Sequence, residues 1–363
     1  MNKIAELRGF FKNALRPQIR QVDVMAHLLA LKFSDSVLKE HQSTLIKAVI
    51  IAVDLEWWEF DSKKVTEIGI STLAACEKTS AKPIHQLTGM DVHHLRLKEN
   101  AHLVNGKLCD GFPEDFSFGK TVFVDAAEAN QALNTIFVQP DENNETRPVI
   151  LLGHAVDNDV DVLRDHFGFD LAALGNLIMV LDTQIMAAEL GLYGGKKMSL
   201  KHILGQYCIE DHHLHNAGND AGQTMVAATL LAGECATGKG RYDGGNQADV
   251  ENVKSNSRSR SGLYWGVPTF CTNCESNTHL VSACQKQTVC ARCSEAAVKV
   301  GHVPTLDHPT EKCSLFNFPC ATCMDSGNIE RKKMAYTHDE DRCPGVESRK
   351  AYLAHPKNRV KKY

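Results

Sequence analysis

Nine cysteines lie beyond residue 270, and three four-residue sets account for every one of them. Cys271, Cys274, His279 and Cys284 are spaced C-x2-C-x4-H-x4-C. Cys290, Cys293, His308 and Cys313 are spaced C-x2-C-x14-H-x4-C. Cys320, Cys323, His338 and Cys343 repeat that second spacing residue for residue. Zn²⁺ takes four tetrahedral sulfur or nitrogen ligands, and a C-x2-C turn presents two thiolates to one ion. His302 competes with His308, but only His308 keeps the repeat. Segments this short hold little core of their own, and a structural zinc supplies roughly 10–16 kcal/mol of apparent folding energy. The pattern predicts three zinc-built modules over 264–344. It also predicts a reducing, intracellular setting, nucleus or cytoplasm, because a disulfide framework has no use for the three histidines.

The net charge of −4 conceals an asymmetry. Residues 1–236 hold 21 Lys/Arg against 31 Asp/Glu, and residues 237–363 hold 19 against 13. An acidic front and a basic back predict divided labour: cation-binding carboxylates first, a polyanion-attracting surface second. Cys76, Cys109, Cys208 and Cys235 lack ligand spacing and read as small buried hydrophobes. The purest apolar run, 48–53, is too short to span a bilayer, and no signal peptide is expected at the start. A soluble protein without membrane partners follows.

Residues 1–46 carry helical spacing (Leu7, Phe10, Phe11, then Val24, Leu28, Leu29), with Pro17 expected to break the first helix. Residues 48–53 are a continuous, β-branched run, the pattern of a strand buried on both faces. Strands are expected again near 65–73, 148–153 and 178–181. Helices are expected over 125–137, 158–167, 200–207 and 217–231, and an irregular insertion over 80–120. Alternating strands and helices give an α/β layer fold over 47–236. Residues 237–263, poor in apolar side chains and rich in Gly, Asn, Ser and Arg, read as a flexible linker. The stretch 345–363 reads as a basic tail.

Asp54 and Glu56 close the first strand as D-x-E, and residues i and i+2 of a strand face one side. A lone D-x-E is most often a polar strand end. Here two further groups follow. Asp159 lies in GHAVDND after the second strand, at the start of a helix, with Asp157 and Asp161 as neighbours better read as helix N-terminal charges. His215 and Asp220 lie in HNAGND, with Asp220 in the first turns of a helix and His215 on the loop before it.

The order D-x-E, G-H-x-x-x-x-D, H-x-A-x-x-D-A resembles the DEDDh branch of the 3′–5′ exonucleases, which have the ribonuclease H-like fold. Asp182-Thr183 resembles that family's strand-end DT pair, and the HNAGNDA form is similar to a fungal subgroup. The resemblance covers about 47–235. It implies a ribonuclease H-like mixed sheet flanked by helices. It implies that Asp54, Glu56, Asp159 and Asp220 hold two Mg²⁺ or Mn²⁺ ions, and that His215 is the general base. Trp57-Trp58 departs from the smaller residues commoner at that place; one is expected in the core, the other as a stacking wedge.

The residue types suit the chemistry. Phosphodiester hydrolysis needs an activated water, relief of charge at phosphorus and help for the leaving oxygen, which two metal ions can supply. Hard cations require oxygen ligands. An imidazole accepts a proton near neutral pH. The first cysteine set has the spacing of a retroviral-type CCHC knuckle, and such knuckles commonly bind single strands. The expectation is a nuclease for single-stranded nucleic acid, RNA favoured over DNA, with three zinc ions in its C-terminal part. Arg258, Arg260, Arg331, Lys332, Lys333 and the tail favour a nucleic acid there; Asp339 to Asp341 are acidic and leave protein partners open. The alternative is a non-catalytic adaptor built on the zinc repeats.

Overall fold

The computed structural model describes residues 3–14, 19–32, 36–78, 80, 82–106, 109–140, 144–210, 213–238, 246–260, 262, 265–286, 320–335 and 343. The chain divides into two compact units, Met1–Pro268 and Thr269–Tyr363.

Six strands of the first unit form one sheet: β1 (Val49–Trp58), β2 (Asp61–Ala74), β3 (Asp91–Leu97), β4 (Thr121–Val124), β5 (Val149–Gly153) and β6 (Leu177–Asp182), in the order β4-β3-β2-β1-β5-β6. β1 with β2 and β2 with β3 are antiparallel; the remaining pairs are parallel. This is the mixed, ribonuclease H-like sheet expected. β1 is central because it can be buried on both sides. Ile50 and Ala52 join one core, and Val49, Ile51, Val53 and Leu55 join the other. The two-residue strand period divides them.

Helices α1 (Lys3–Ala14), α2 (Gln21–Leu28), α3 (Ser36–Glu40) and α4 (Gln42–Leu45) precede the sheet. α5 (Ala126–Phe137) and α6 (Asp157–Phe167) follow β4 and β5. α7 (Thr183–Glu189), α8 (Leu200–Gln206) and α9 (Ala217–Thr237) come after β6. α9 lies on the Ile50 face, with Met225, Val226 and Leu231 in that core. α5 covers the other face through Ala129, Leu133, Ile136 and Phe137. The N-terminal helices pack on the domain that follows: Leu7, Phe11, Met25, Leu28 and Leu29 belong to the α9-side core. Glu189 at the end of α7 accepts the Gln21 and Val22 amides at 2.9 Å each, stopping the open end of α2. Pro17 lies outside the described residues.

Two expectations change. Within 80–120, expected as an irregular insertion, lie a 3-10 turn (Pro83–Gly89) and strand β3. The β3 sequence DVHHLRL hides its strand character because its buried polar groups find distant partners. His94 Nε2 lies 2.8 Å from Glu67 and His94 Nδ1 2.8 Å from Thr121 Oγ1, and Arg96 donates to the Ala101 carbonyl at 2.7 Å.

The linker expected over 237–263 contains helix α10 (Asn246–Arg260), which packs on the first unit. Val250 and Val253 enter the core. Ion pairs supply the rest: Lys82 to Asp249 at 2.9 Å and Arg260 to Asp91 at 2.9 Å, with Lys254 over the Phe118 ring. Arg258 donates to the Ser117 carbonyl and Arg260 to those of Thr88 and Met90. The two arginines expected to favour nucleic acid therefore hold the fold. Mean composition concealed a helix that docks by two valines and a row of charges. Val267 pairs with Phe123, so the first unit extends past the expected limit of 236.

The second unit contributes the short helices α11 (Ala321–Met324) and α12 (Ile329–Met334) among its described residues.

Candidate active site

The alternation that sorts β1 into two cores also aims its carboxylates. Asp54 and Glu56 continue the Ile50 and Ala52 face, the side covered by α9. Parallel pairing of β1 with β5 ends at Ala52 and Leu152, leaving the Leu55 amide beyond the ladder. Asp159, in the first turn of α6, accepts that amide at 2.9 Å. The chain turns from β5 into α6 at Gly153, where a Cβ would lie 2.2 Å from the Cβ of Val156. Only glycine fits so tight a turn.

α9 brings the third group. Its N-cap Asn216 accepts from the Asn219 amide at 3.0 Å. A Cβ on Gly69 of β2 would lie 1.7 Å from the Ala217 carbonyl oxygen, so glycine there lets the helix start against the sheet. His215 adopts a left-handed backbone (φ 66°), and its amide donates to Asp220 Oδ2 at 2.8 Å. The imidazole Nδ1 lies 3.9 Å from Glu56 Oε1. Ligand atoms of Glu56, His215 and Asp220 all lie within 4.8 Å of one another. The five residues singled out from the sequence thus converge from three separate segments. Asp157 and Asp161 stay on the exposed side of α6.

Burial concentrates this charge. Burial pushes the Asp54 carboxyl well up, and Asp220, Asp159 and Glu56 add to it. Burial, then Asp220, Glu67 and Asp159, pushes Glu56 up to about 9. Asp159 rises to about 7 through burial, against the lowering effect of the Leu55 amide. Asp54 Oδ2 is buried with no hydrogen-bond partner among the described residues. Crowded carboxylates at neutral pH need either protons or a cation. The all-oxygen acidic set, with an unanswered buried oxygen, fits a hard divalent ion.

The cluster opens into a cleft of about 660 Å³. Asp54, Glu56, Asp220 and His215 line it, with Cys109, Asp110, Phe112, His154, Ser199 and Lys201 among its other lining residues. Trp58 is buried and Trp57 half-buried against the core; neither is among the residues lining the cleft, so no wedge is placed there.

Several supporting residues escaped the sequence reading. Glu67 faces Glu56 across the β1–β2 hairpin and accepts from the Ala217 amide at 3.1 Å as well as meeting His94. Asn219 binds the Ser117 amide and hydroxyl and the carbonyls of Asp115 and His213, fastening the 109–117 segment to α9. His154 lines the cleft with Nδ1 at 2.8 Å from Thr183 Oγ1, and burial pushes its imidazole down. The G-H pair of the second motif was the available signal for His154. Glu67 and Asn219 depend on register and loop packing.

In the second unit, the ligand atoms of Cys271, Cys274, His279 and Cys284 lie within 4.8 Å of one another, as do those of Cys320, Cys323 and Cys343. Cys274 Sγ is 3.4 Å from His279 Nε2, and Cys323 Sγ is 3.4 Å from Cys343 Sγ. Glu275 turns with φ 61° just after the first pair, and its amide donates back to the Cys271 carbonyl. Free thiols drawn into one small space fit a shared Zn²⁺. Cys290, Cys293, His308, Cys313 and His338 lie outside the described residues.

Several known proteins resemble part of this chain. An uncharacterized nucleolar protein of Schizosaccharomyces pombe is 29% identical over 186 residues, covering 49% of this chain and 66% of the relative. An uncharacterized Saccharomyces cerevisiae protein is 28% identical over 51% of this chain and 41% of its own length. The S. cerevisiae "Good for full DBP5 activity protein 2" is 27% identical over 49% and 34%. The chain thus spans less than two thirds of each of these relatives. Among solved structures, an Escherichia coli exonuclease I complex with single-stranded DNA overlaps at a TM-score of 0.34 and 14% identity, covering 51% of this chain and 40% of that one. The sequence profile of the DEDDh family described as "DNA polymerase III subunit epsilon-like, C-terminal domain" matches residues 49–231. That match takes in half of the chain, from the first strand of the sheet to the helix that carries Asp220, and the chain belongs to the DEDDh exonuclease family.

Proposed function

We propose that this protein is a metal-dependent exonuclease that removes nucleotides from the 3′ end of single-stranded nucleic acid, RNA in preference to DNA. The convergence of Asp54, Glu56, Asp220 and His215 on one cleft, with Asp159 buried behind them on the Leu55 amide, carries this reading. The four carboxylates would hold two Mg²⁺ or Mn²⁺ ions. When bound, such ions polarise the phosphodiester, favour formation of the attacking hydroxide and stabilise the leaving oxygen. The chain's own part is positioning and proton transfer. β1 and α9 hold Glu56 and Asp220 within reach of each other, and the Leu55 amide fixes Asp159. His215, half exposed at the cleft, accepts the proton of the attacking water. Its left-handed backbone and the bond from its amide to Asp220 hold the imidazole beside the carboxylates.

The cysteine-rich unit supplies three zinc-held knuckles that keep the substrate near the catalytic unit by tethering. Exposed Arg331 and Lys332 on α12 support a polyanionic ligand. A nuclear location is favoured by the nucleolar relative, and no helix among the described residues is long and apolar enough to cross a membrane.

The test is incubation of the purified full chain with 5′-labelled single-stranded RNA and DNA, with Mg²⁺ or Mn²⁺. A ladder shortening from the 3′ end, faster on RNA, is expected. Internal cleavage, or none with either metal, would refute the reading.

A further inference from the structure

The geometry points to a substrate-holding arm beside the cleft. We propose that Tyr193, Lys196, Lys197 and Lys201, on segment 191–201, bind the bases and phosphates of a single strand behind its scissile end. This rests on the nuclease reading above.

The segment GLYGGKKMSLK contains three lysines and no acidic residue, within a region where acids exceed bases. It is held at two points. Leu192 and Met198 are buried in the α9-side core, and Gln184 Nε2 donates to the Met198 carbonyl at 3.1 Å. Between these anchors the side chains turn outward. Tyr193 is 71% exposed, and Lys196 and Lys197 are exposed. Among the described residues none of the three has a side-chain hydrogen bond or ion pair.

Tyr193 also has φ 50°, between Gly191 (φ 71°) and Gly194 and Gly195 (φ 64° and 76°). A bulky residue in the left-handed region is unfavourable, and such strain collects where a ligand is handled. Leaving the ring in water forgoes the stabilisation its burial would give. Folding alone gives no reason for tyrosine at this position.

The arm runs directly into the cleft. Ser199 and Lys201 line it, and Lys201 is the only lysine or arginine among its described lining residues. The other charged residues lining it, Asp54, Glu56, Asp110 and Asp220, are acidic and offer a phosphate backbone no cation of their own. A polyanion therefore needs fixed cations to approach. An exposed aromatic ring flanked by lysines is how single strands are held without sequence choice: bases stack and phosphates pair. A duplex offers no free base face to Tyr193. Tyr193 and Lys201 are eight positions apart, a reach of at most about 29 Å. Tyr193 is not among the residues lining the cleft, so the arm serves nucleotides behind the terminal one.

The test compares a trinucleotide with a single strand of about 20 nucleotides, longer than the roughly 4–16 that such grooves span. The full chain carries Tyr193→Ala, Tyr193→Phe or the pair Lys196→Ala and Lys197→Ala. Tyr193→Ala should lower kcat/KM on the long strand about tenfold, through KM, and change the trinucleotide less than twofold. Tyr193→Phe should behave as wild type. Removing both lysines should flatten the slope of log affinity against log salt by about 1.4. An unchanged long-strand KM, or an equal loss on the trinucleotide, would overturn the arm. If the wild-type chain cleaves neither strand, the nuclease reading fails, and fluorescence anisotropy of the long strand then decides. A Tyr193→Ala affinity equal to wild type in that assay would overturn the arm as well.

Discussion

The two units hold their ligand sets by opposite means. In the first, Asp54, Glu56, Asp159, His215 and Asp220 come from segments up to 166 residues apart. A two-sided hydrophobic core fixes β1, α6 and α9, and the carboxylates are carried at their ends. In the second, Cys271 to Cys284 span 14 residues, and the buried residues around the third set are mostly its own cysteines. A site mounted on a core should survive loss of its metal. A site that is its own core should not.

Chelation should therefore produce the largest effect. Removing bound zinc from the full chain should abolish the structure of 269–286 and 320–335, since each structural ion contributes on the order of 10 kcal/mol. The sheet of the first unit should remain. Hydrogen exchange with and without a strong chelator reports both units at once. Persistent protection around Cys271 and Cys320 would break the contrast.

Next comes the catalytic set. Asp54→Asn should reduce turnover at least about 100-fold, a loss typical of removing one group that answers transition-state charge. The same change should raise the thermal midpoint of the metal-free protein, because it removes the cost of protonating a buried, crowded carboxylate. A fall in midpoint would mean that Asp54 is a structural residue. His215→Ala should slow the reaction by roughly 10²–10⁴-fold while leaving divalent-ion binding, read by calorimetry, nearly unchanged. Full activity in that variant would transfer the base role elsewhere.

A smaller effect lies in the pH dependence of stability. Glu56 and Asp159 have folded-state values raised to about 9 and about 7. Their protons are bound more tightly in the folded state, so their contribution is full below the unfolded range near 4. It is lost as pH rises through 7 and then 9. Metal-free protein should melt at progressively lower temperature over that window, and saturating Mg²⁺ should flatten the decline. A flat profile without metal would argue against the crowded cluster.

The boundary between the units gives the last and smallest test. A fragment ending at Pro268 keeps α10 and should melt within a few degrees of the full chain's first unit. One ending at Gly238 loses Val250, Val253 and the Lys82–Asp249 pair, and should melt several degrees lower. Equal midpoints would restore 237–263 as a linker.

The sequence alone determined a good deal. The uninterrupted run at β1 required a strand with two covered faces, and the strand period then placed Asp54 and Glu56 on one side. The cysteine spacings grouped Cys271, Cys274, His279 and Cys284, and Cys320, Cys323 and Cys343, because a C-x2-C turn is local. What only the tertiary structure decided is what depends on distant partners. The role of Glu67 under the site was hidden in an expected strand, while β3 with its buried histidine and α10 docked by two valines and ion pairs look polar and unstructured in sequence. Their polar groups are satisfied by residues tens or hundreds of positions away. Periodicity reports the apolar share of a fold; it cannot report which polar group will find a partner, because that follows from register and packing.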